Sequence, residues 1–263
     1  MQAASSKKAT QLLSNTFTII IPAYNEEMRI GPVLDEICDF ISKNGLEWKV
    51  VVSIDGDDRT EEIVSSYARN YPFVSGNKST SRGGKGMALK RALREVRSDY
   101  VITMDADRSV AFTDIVPGLS NLKENEVLIF SRYSKENHIP AFRRLLSRGY
   151  NLLLRALLRI KVRDTQSGYI ASKSQPFINA MNKVGVTNGF YYAILYYYLA
   201  RGGSKIMEVP IKYNHREGSK FNPLGMVIGG GVSLIAFLLR HSRFYKHVPK
   251  PIIELYNRKF RWI

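Results

Sequence analysis

"YVITMDADRS", residues 100–109, is an apolar run that stops on two carboxylates one residue apart. A short run of this hydrophobicity reads as a buried strand, with Asp105 and Asp107 at its carboxyl end. Carboxylates that close repel unless a cation lies between them or one holds a proton. A divalent ion such as Mg2+ or Mn2+ takes one or two carboxylates and fills its other positions with phosphate oxygens and water. The pair therefore points to a metal ion that in turn holds a diphosphate. Solvated turns after strands are also rich in Asp, so the surrounding elements decide between the two.

They repeat the pattern. "FTIIIPAYNEE" (17–27) reads as a strand broken by Pro22 and is followed by an amphipathic helix to about Ser42. "WKVVVSIDGDD" (48–58) is a second apolar strand ending in acids. Thr60–Tyr71 has helical periodicity, "GGKGMALKRALREV" (83–96) is a helix opened by glycines, and "EVLIFSRYS" (126–134) is a further strand. Strands alternating with helices of this length predict a doubly wound α/β fold with a parallel sheet. In such sheets ligands bind beyond the carboxyl ends of the strands. Pro22–Glu27, Asp55–Asp58 and Asp105–Asp107 all fall there, which predicts one site built from three segments. Asp55 could accept a hydrogen bond from a base or sugar, and Asp58 reads as a helix cap. Lys85, among Gly83, Gly84 and Gly86, offers a charge near phosphate or sugar hydroxyls, although the Walker pattern is absent.

The chain of 263 residues carries 39 Lys and Arg against 23 Asp and Glu, a formal net charge of +16. That excess predicts an anionic partner: nucleic acid, a phosphorylated substrate or an acidic lipid surface. One cysteine, Cys38, allows no internal disulfide and suits a reducing compartment. Residues 1–16 hold no apolar stretch of signal-peptide length, so a cytosolic location is expected.

The second half changes character. "AFRRLLSRGYNLLLRALLRI" (141–160) is rich in Leu and Arg; on a helix Arg144, Arg148, Arg155 and Arg159 fall within an arc of roughly 60°. Leucines crowd the remaining arc, the pattern of a helix lying on a membrane surface. "GFYYAILYYYLARGG" (189–203) reads as an aromatic helix and "KIMEVPIKYNHR" (205–216) as a strand. The nearly uncharged run 224–239 would span only ~24 Å as a helix, short of a ~30 Å hydrocarbon core. A helix in the membrane interface or in the core is expected there rather than a spanning one. The division expected is a tail (1–16), a catalytic domain (17–222) and a C-terminal amphipathic segment (223–263).

In order and spacing, "IIIPAYNEE", "SIDGDDRT", "GGKGMAL", "MDADRSVAFTDI", "SRY", "RRLLSRGYNLLLR", "DTQSGY", "GFYY" and "EVPIKYNHREGSK" resemble glycosyltransferase family 2, in particular its polyprenyl-phosphate hexose synthases. The resemblance covers about residues 17–222. It implies a GT-A fold and an inverting, metal-dependent transfer of a hexose from a nucleotide sugar to dolichyl or another polyprenyl phosphate, at the cytosolic face of a membrane. By position it implies that Pro22, Ala23, Tyr24 and Glu26 line the nucleotide pocket with Asp55 near the base. Asp105 would face the sugar diphosphate and Asp107 would ligate Mg2+ or Mn2+. Arg132, Arg144 and Ser147 would meet the lipid phosphate. Asp164, Gln166 and Ser167 would shape the sugar site, while Arg216, Ser219 and Lys220 would belong to a loop closing over the diphosphate. "DADRSVAFTDI" and "DTQSGY" are similar to the glucose enzymes, implying UDP-glucose ahead of GDP-mannose.

The chain departs from the pattern in three places. Ser53-Ile54-Asp55-Gly56 stands where the family shows D-D-G-S, Ser109 stands where mannose synthases carry Gln, and Ala193 and Leu195 replace an acidic pair after "GF". A phosphate acceptor accommodates that last loss, because its second pKa of about 6 leaves it an anion at neutral pH. The rival readings are a family 2 enzyme acting on a saccharide, including a processive synthase suggested by "RKFRW" (258–262), a basic nucleic-acid-binding protein, and an inactive scaffold. Nucleic-acid binding leaves the acidic strand ends unexplained.

Overall fold

The computed structural model describes residues 15–79, 83–122, 126–133, 141–185, 190–214 and 223–259, without the side chains of 141–146, 223–229, 244 and 256–259. Strand β1 (Phe17–Tyr24) leads to helix α1 (Ile30–Asn44), then β2 (Lys49–Asp55), α2 (Thr60–Asn70), β3 (Val74–Lys78), α3 (Lys85–Ala92) and β4 (Tyr100–Thr103). Helix α4 (Phe112–Leu119), β5 (Glu126–Ser131), α5 (Ala141–Leu158), β6 (Ile170–Lys173), α6 (Ser174–Lys183), α7 (Tyr191–Arg201) and β7 (Lys205–Pro210) follow. The chain ends in α8 (Pro223–Arg240), a 3-10 turn (Arg243–His247) and α9 (Lys250–Lys259).

The strands form one sheet in the order β3-β2-β1-β4-β6-β5-β7. All pairings are parallel except the two made by β6, which runs against both β4 and β5. The sheet is thus mainly parallel, as expected, with one reversed strand. Side chains on a strand alternate between faces, and the core divides accordingly. Ile19, Ile21, Val50, Val52 and Ile102 pack with Val33, Leu34, Ile37, Cys38 and Ile41 of α1. Ile20, Val51 and Val101 face the other way, onto Leu89 of α3 and the aromatic helix α7. The α1 positions recur at helical spacing, and the helix ends where Gly45 takes a left-handed φ of 58°, its N–H and that of Leu46 bonding back to Ser42 and Ile41.

The long C-terminal helices join this body by one side only. On α5, Asn151, Leu154 and Leu158 are buried, whereas Leu152, Leu153 and Leu157 are exposed. On α8, Leu234 and Phe237 enter the core while Ile235 and Leu239 face outward, and Ile252 and Leu255 of α9 are exposed too. The arginine arc is corrected at its end: the helix stops at Leu158, and Arg159 takes a left-handed φ of 53° beyond it. Arg155 is half-buried, so leucines rather than an unbroken arginine stripe dominate the outward face. Helices α5 and α8 meet closely at Gly230, where an added Cβ would lie 2.3 Å from Tyr150 Oη. Among the described residues no helix is long and apolar enough to cross a membrane.

Candidate active site

The carboxyl ends of β1, β2 and β4 enclose a cleft of about 260 Å³. Its walls include Pro22, Ala23, Tyr24, Glu26, Asp55, Lys85, Asp105 and Asp107. The three strand-end segments that the sequence placed together meet here, and the glycine-opened helix α3 joins them. Each arrives for a local reason. Gly84 opens α3 with φ +76°, a region that Cβ-bearing residues avoid, and so turns Lys85 into the cleft. The N–H of Ser109 bonds Asp107 Oδ1 at 2.9 Å and fixes the turn after β4, where Arg108 is left-handed at φ 58°. The cap position of α2 is Arg59 rather than Asp58 and carries no side-chain cap bond; Asp58, one residue earlier, accepts the N–H of Thr60 at 3.1 Å and the N–H of Glu27 at 3.0 Å, which ties the β2 loop to the β1 loop.

The cation beside the acidic pair in this structure is Lys85. Its ammonium pairs with Asp105 and lies 5.3 Å from the ring centre of Tyr192. Burial opposes the charge on Lys85, but the Asp105 carboxylate outweighs it and the pKa rises. Burial raises Glu26, Arg29 draws it down, and Asp107 and Asp105 push it further up. The result is a carboxyl that takes a proton more readily than an ordinary glutamate. Tyr169, buried beside both acids and held well above the usual phenol range, donates to Asp107 Oδ1 at 3.4 Å. Gly168 lies so close that a Cβ there would sit 2.4 Å from Tyr192 Oη and 2.8 Å from Asp105 Oδ1. Among the described residues, no group of three or more His, Cys, Asp or Glu side chains could hold a metal ion.

Asp55 reaches the cleft with both oxygens engaged, one by Arg91 and the other by the N–H of Gly83 at 3.2 Å. Asp164 is fully buried and holds Arg132 through a two-point bridge of 2.7 and 3.0 Å, and it also accepts the Arg132 backbone N–H at 3.0 Å. Burial works against its charge, yet these contacts keep its carboxyl below the ordinary value. Glu208 of β7 braces the same loop by accepting the N–H groups of Arg163 and Asp164 at 2.9 and 2.8 Å. Ser167, also buried, donates to the Phe130 carbonyl at 2.7 Å, and Gln166 is half-buried beside it. Ser147 on α5 bonds the Tyr133 hydroxyl at 2.6 Å. Arg144 lies on α5 with its side chain outside the described residues, as are Arg216, Ser219 and Lys220.

Sequence reasoning missed Arg91, Tyr133, Asn151, Tyr169 and Tyr192. Asn151 and Ser147 stand one helical turn apart on the buried side of α5, a polar pair at core spacing that could have been noticed. The tyrosines carry no such signal, because aromatics in a core are ordinary.

The arrangement is that of an α/β protein with acids at the strand ends and a cleft at their mouth, the end of such sheets where ligands bind. The family model "Glycosyl transferase family 2" matches residues 18–179, and the chain belongs to that family. It is 28% identical over 224 residues to a dolichyl-phosphate beta-glucosyltransferase of Trichomonas vaginalis, covering 80% of this chain and 69% of that protein. The human dolichyl-phosphate beta-glucosyltransferase is 26% identical over 243 residues, 85% of this chain and 75% of the human one. Glucosyl-3-phosphoglycerate synthase of Mycobacterium tuberculosis, solved with Mn2+, UDP-glucose and phosphoglyceric acid, shares the fold with a TM-score of 0.63 at 19% identity, over 90% of this chain and 82% of that one.

The buried bridge sets a pH signature. Asp164 is held below its unfolded value, so its contribution is present at neutral pH and fades as pH falls through the lowered pKa. Arg132→Met should cost about 3–5 kcal/mol at neutral pH by leaving a carboxylate buried and unpaired. Without the guanidinium, burial raises the Asp164 carboxyl, so its protonation should recover part of the loss as pH falls. Urea denaturation at neutral and at acidic pH would check this; a loss that does not shrink on acidification contradicts the bridge.

Proposed function

We propose that the chain transfers glucose from UDP-glucose to dolichyl phosphate, with inversion, while resting on the cytosolic surface of a membrane. The observation that carries this reading is the convergence of Asp105 and Asp107 with Pro22, Ala23, Tyr24, Glu26, Asp55 and Lys85 in one cleft, in a family 2 chain with relatives named dolichyl-phosphate beta-glucosyltransferase.

In this reading β1 and β2 hold the nucleotide. Arg91 and the Gly83 N–H orient Asp55 toward the base. Asp107, with Asp105, would hold Mg2+ or Mn2+. The donor set fits, since a second oxygen of each carboxylate carries no hydrogen bond among the described residues and hard oxygen ligands suit these ions. Such an ion, when bound, would neutralise the diphosphate as it leaves. Lys85 adds a fixed positive charge on the same side. An oxygen of the lipid phosphate attacks the anomeric carbon as the bond to the diphosphate breaks, and UDP departs with the electron pair.

No general base is required. An alcohol acceptor would need one, a contribution of typically 10²–10⁴-fold, whereas a phosphate dianion needs only positioning and shielding. Ala193 and Leu195 are fully buried in the core, so the positions that carry acids elsewhere in the family present none here. Arg132, Arg144 and Ser147 receive the acceptor phosphate, and Arg216, Ser219 and Lys220 close over the donor. The lipid approaches along the exposed leucines of α5 and the outward faces of α8 and α9. The net charge of +16 favours an anionic surface there. The C-terminal segment 223–263 is then a membrane-resting appendage of the catalytic domain.

Two measurements test the reading. With radiolabelled donors and dolichyl phosphate in detergent, label should enter the lipid from UDP-glucose and far less from GDP-mannose. Asp107→Ala should lower that transfer at least ~100-fold with little change in melting temperature. Preferential mannose transfer, or full activity in EDTA, contradicts it. For attachment, replacing Leu152, Leu153 and Leu157 with Ser should release the protein from anionic liposomes in sedimentation, since each buried leucine contributes about 1.5–3 kcal/mol; unchanged sedimentation would give that face another role.

A further inference from the structure

We infer that Asn151 and Tyr133 form a one-way hydrogen-bond relay that turns the hydroxyl hydrogen of Ser147 outward as a donor to the acceptor phosphate. The inference rests on the proposed function for the identity of the anion and deepens it.

The Asn151 end of the relay is directed by groups whose roles cannot change. Asn151 is buried, and its side-chain oxygen lies 2.9 Å from the backbone N–H of Thr165, which can only donate. Its Nδ2 lies 2.8 Å from the Ser147 carbonyl, which can only accept. Two backbone groups therefore fix which end of the amide is which. The same nitrogen is 2.6 Å from Tyr133 Oη and 3.3 Å from Ser147 Oγ, so the phenol oxygen receives a hydrogen from Asn151.

The Tyr133 hydroxyl must then place its own hydrogen. Ser147 Oγ is 2.6 Å away, and no other acceptor for it stands among the described residues. Either hydroxyl could donate within this half-buried pair; because the phenol oxygen already receives a hydrogen from Asn151 and a hydrogen without an acceptor is costly, the relay assigns Tyr133 as the donor to Ser147. Burial also keeps the phenol protonated, outweighing the lowering effect of the Ser147 hydrogen bond, and Asp164 adds to the rise that Arg132 and Arg148 oppose. Ser147 now accepts from Tyr133, and its one hydrogen is left for a ligand. Half-exposed on α5, next to Arg148 in sequence and bonded to Tyr133, the residue after Arg132, it has that hydrogen available to an anion. A hydroxyl free to rotate would offer an anion a lone pair as readily as a hydrogen; this one is preset to donate.

Tyr133 and Asn151 are positioning residues, since neither need touch the phosphate. The relay also links Thr165, next to the Arg132–Asp164 bridge, to the helix that carries the exposed leucines, so lipid-facing and phosphate-facing groups share one framework.

The test uses the full chain and two readouts: calorimetric binding of a short-chain polyprenyl phosphate, and KM values for dolichyl phosphate and UDP-glucose. Ser147→Ala, Tyr133→Phe and Asn151→Asp are each measured, and the last two are repeated on the Ser147→Ala background. Asn151→Asp keeps the bond to Thr165 but cannot donate; Tyr133→Phe removes only the link and guards against misfolding of the buried aspartate. The expected result is a loss of ~10-fold or more in phosphate affinity for each single variant. The UDP-glucose KM should stay within about twofold, and the second changes should add nothing once Ser147 is gone. Additive losses on the Ser147→Ala background, equal changes in both KM values, or unchanged binding in Tyr133→Phe would overturn the relay. If Ser147-dependent phosphate binding persists while no glucose is transferred, the relay stands and the proposed reaction fails.

Discussion

Electrostatic repulsion between Asp105 and Asp107 is the constraint around which the rest of the fold is arranged. Two carboxylates at the mouth of a buried strand are stable only where cationic groups and hydrogen-bond donors converge on them. The sheet order brings those groups in. β4 lies between β1 and β6, so the loop after it opens beside the β1 and β2 loops on one flank and beside Gly168 and Tyr169 on the other. α3 delivers Lys85 from a third direction. A strand at the sheet edge could not collect partners from both sides.

The reversed strand β6 has a second effect. Because it runs against its neighbours, the segment leading into it, Asp164–Tyr169, passes the same end of the sheet as the acids. Asp164 there immobilises Arg132, and Asn151 fastens the segment to α5 through Thr165. The proposed donor cleft and the proposed acceptor side thus share one hydrogen-bonded loop. Precise placement is the main thing such a loop can supply if the nucleophile is already an anion.

Much of this was legible in the sequence because the informative features are local. Apolar runs ending in acids located β1, β2 and β4 and their common end, and the period of α1, α2 and α5 identified them as helices. β3 and β6 were not legible: "VSGNK" and "IASK" are short and mixed, and they become strands only because a paired edge awaits them. The reversal of β6, the locking of Asp55 by Arg91 and the polar relay beneath Ser147 depend on contacts between residues far apart in the chain. The arginine arc on α5 shows the limit of periodicity: extrapolated to Arg159 it overran a helix that ends at Leu158.

At the centre of the account is a single direct displacement by a phosphate oxygen at the mouth of β4. The anomeric configuration of the product tests this most directly. UDP-glucose carries an α linkage, so one displacement must yield β-linked glucosyl phosphate on the lipid. Proton and phosphorus NMR of the purified product from UDP-glucose and dolichyl phosphate should show the β anomer alone. A product retaining the α configuration would require two successive displacements and a nucleophilic side chain, and would contradict the account.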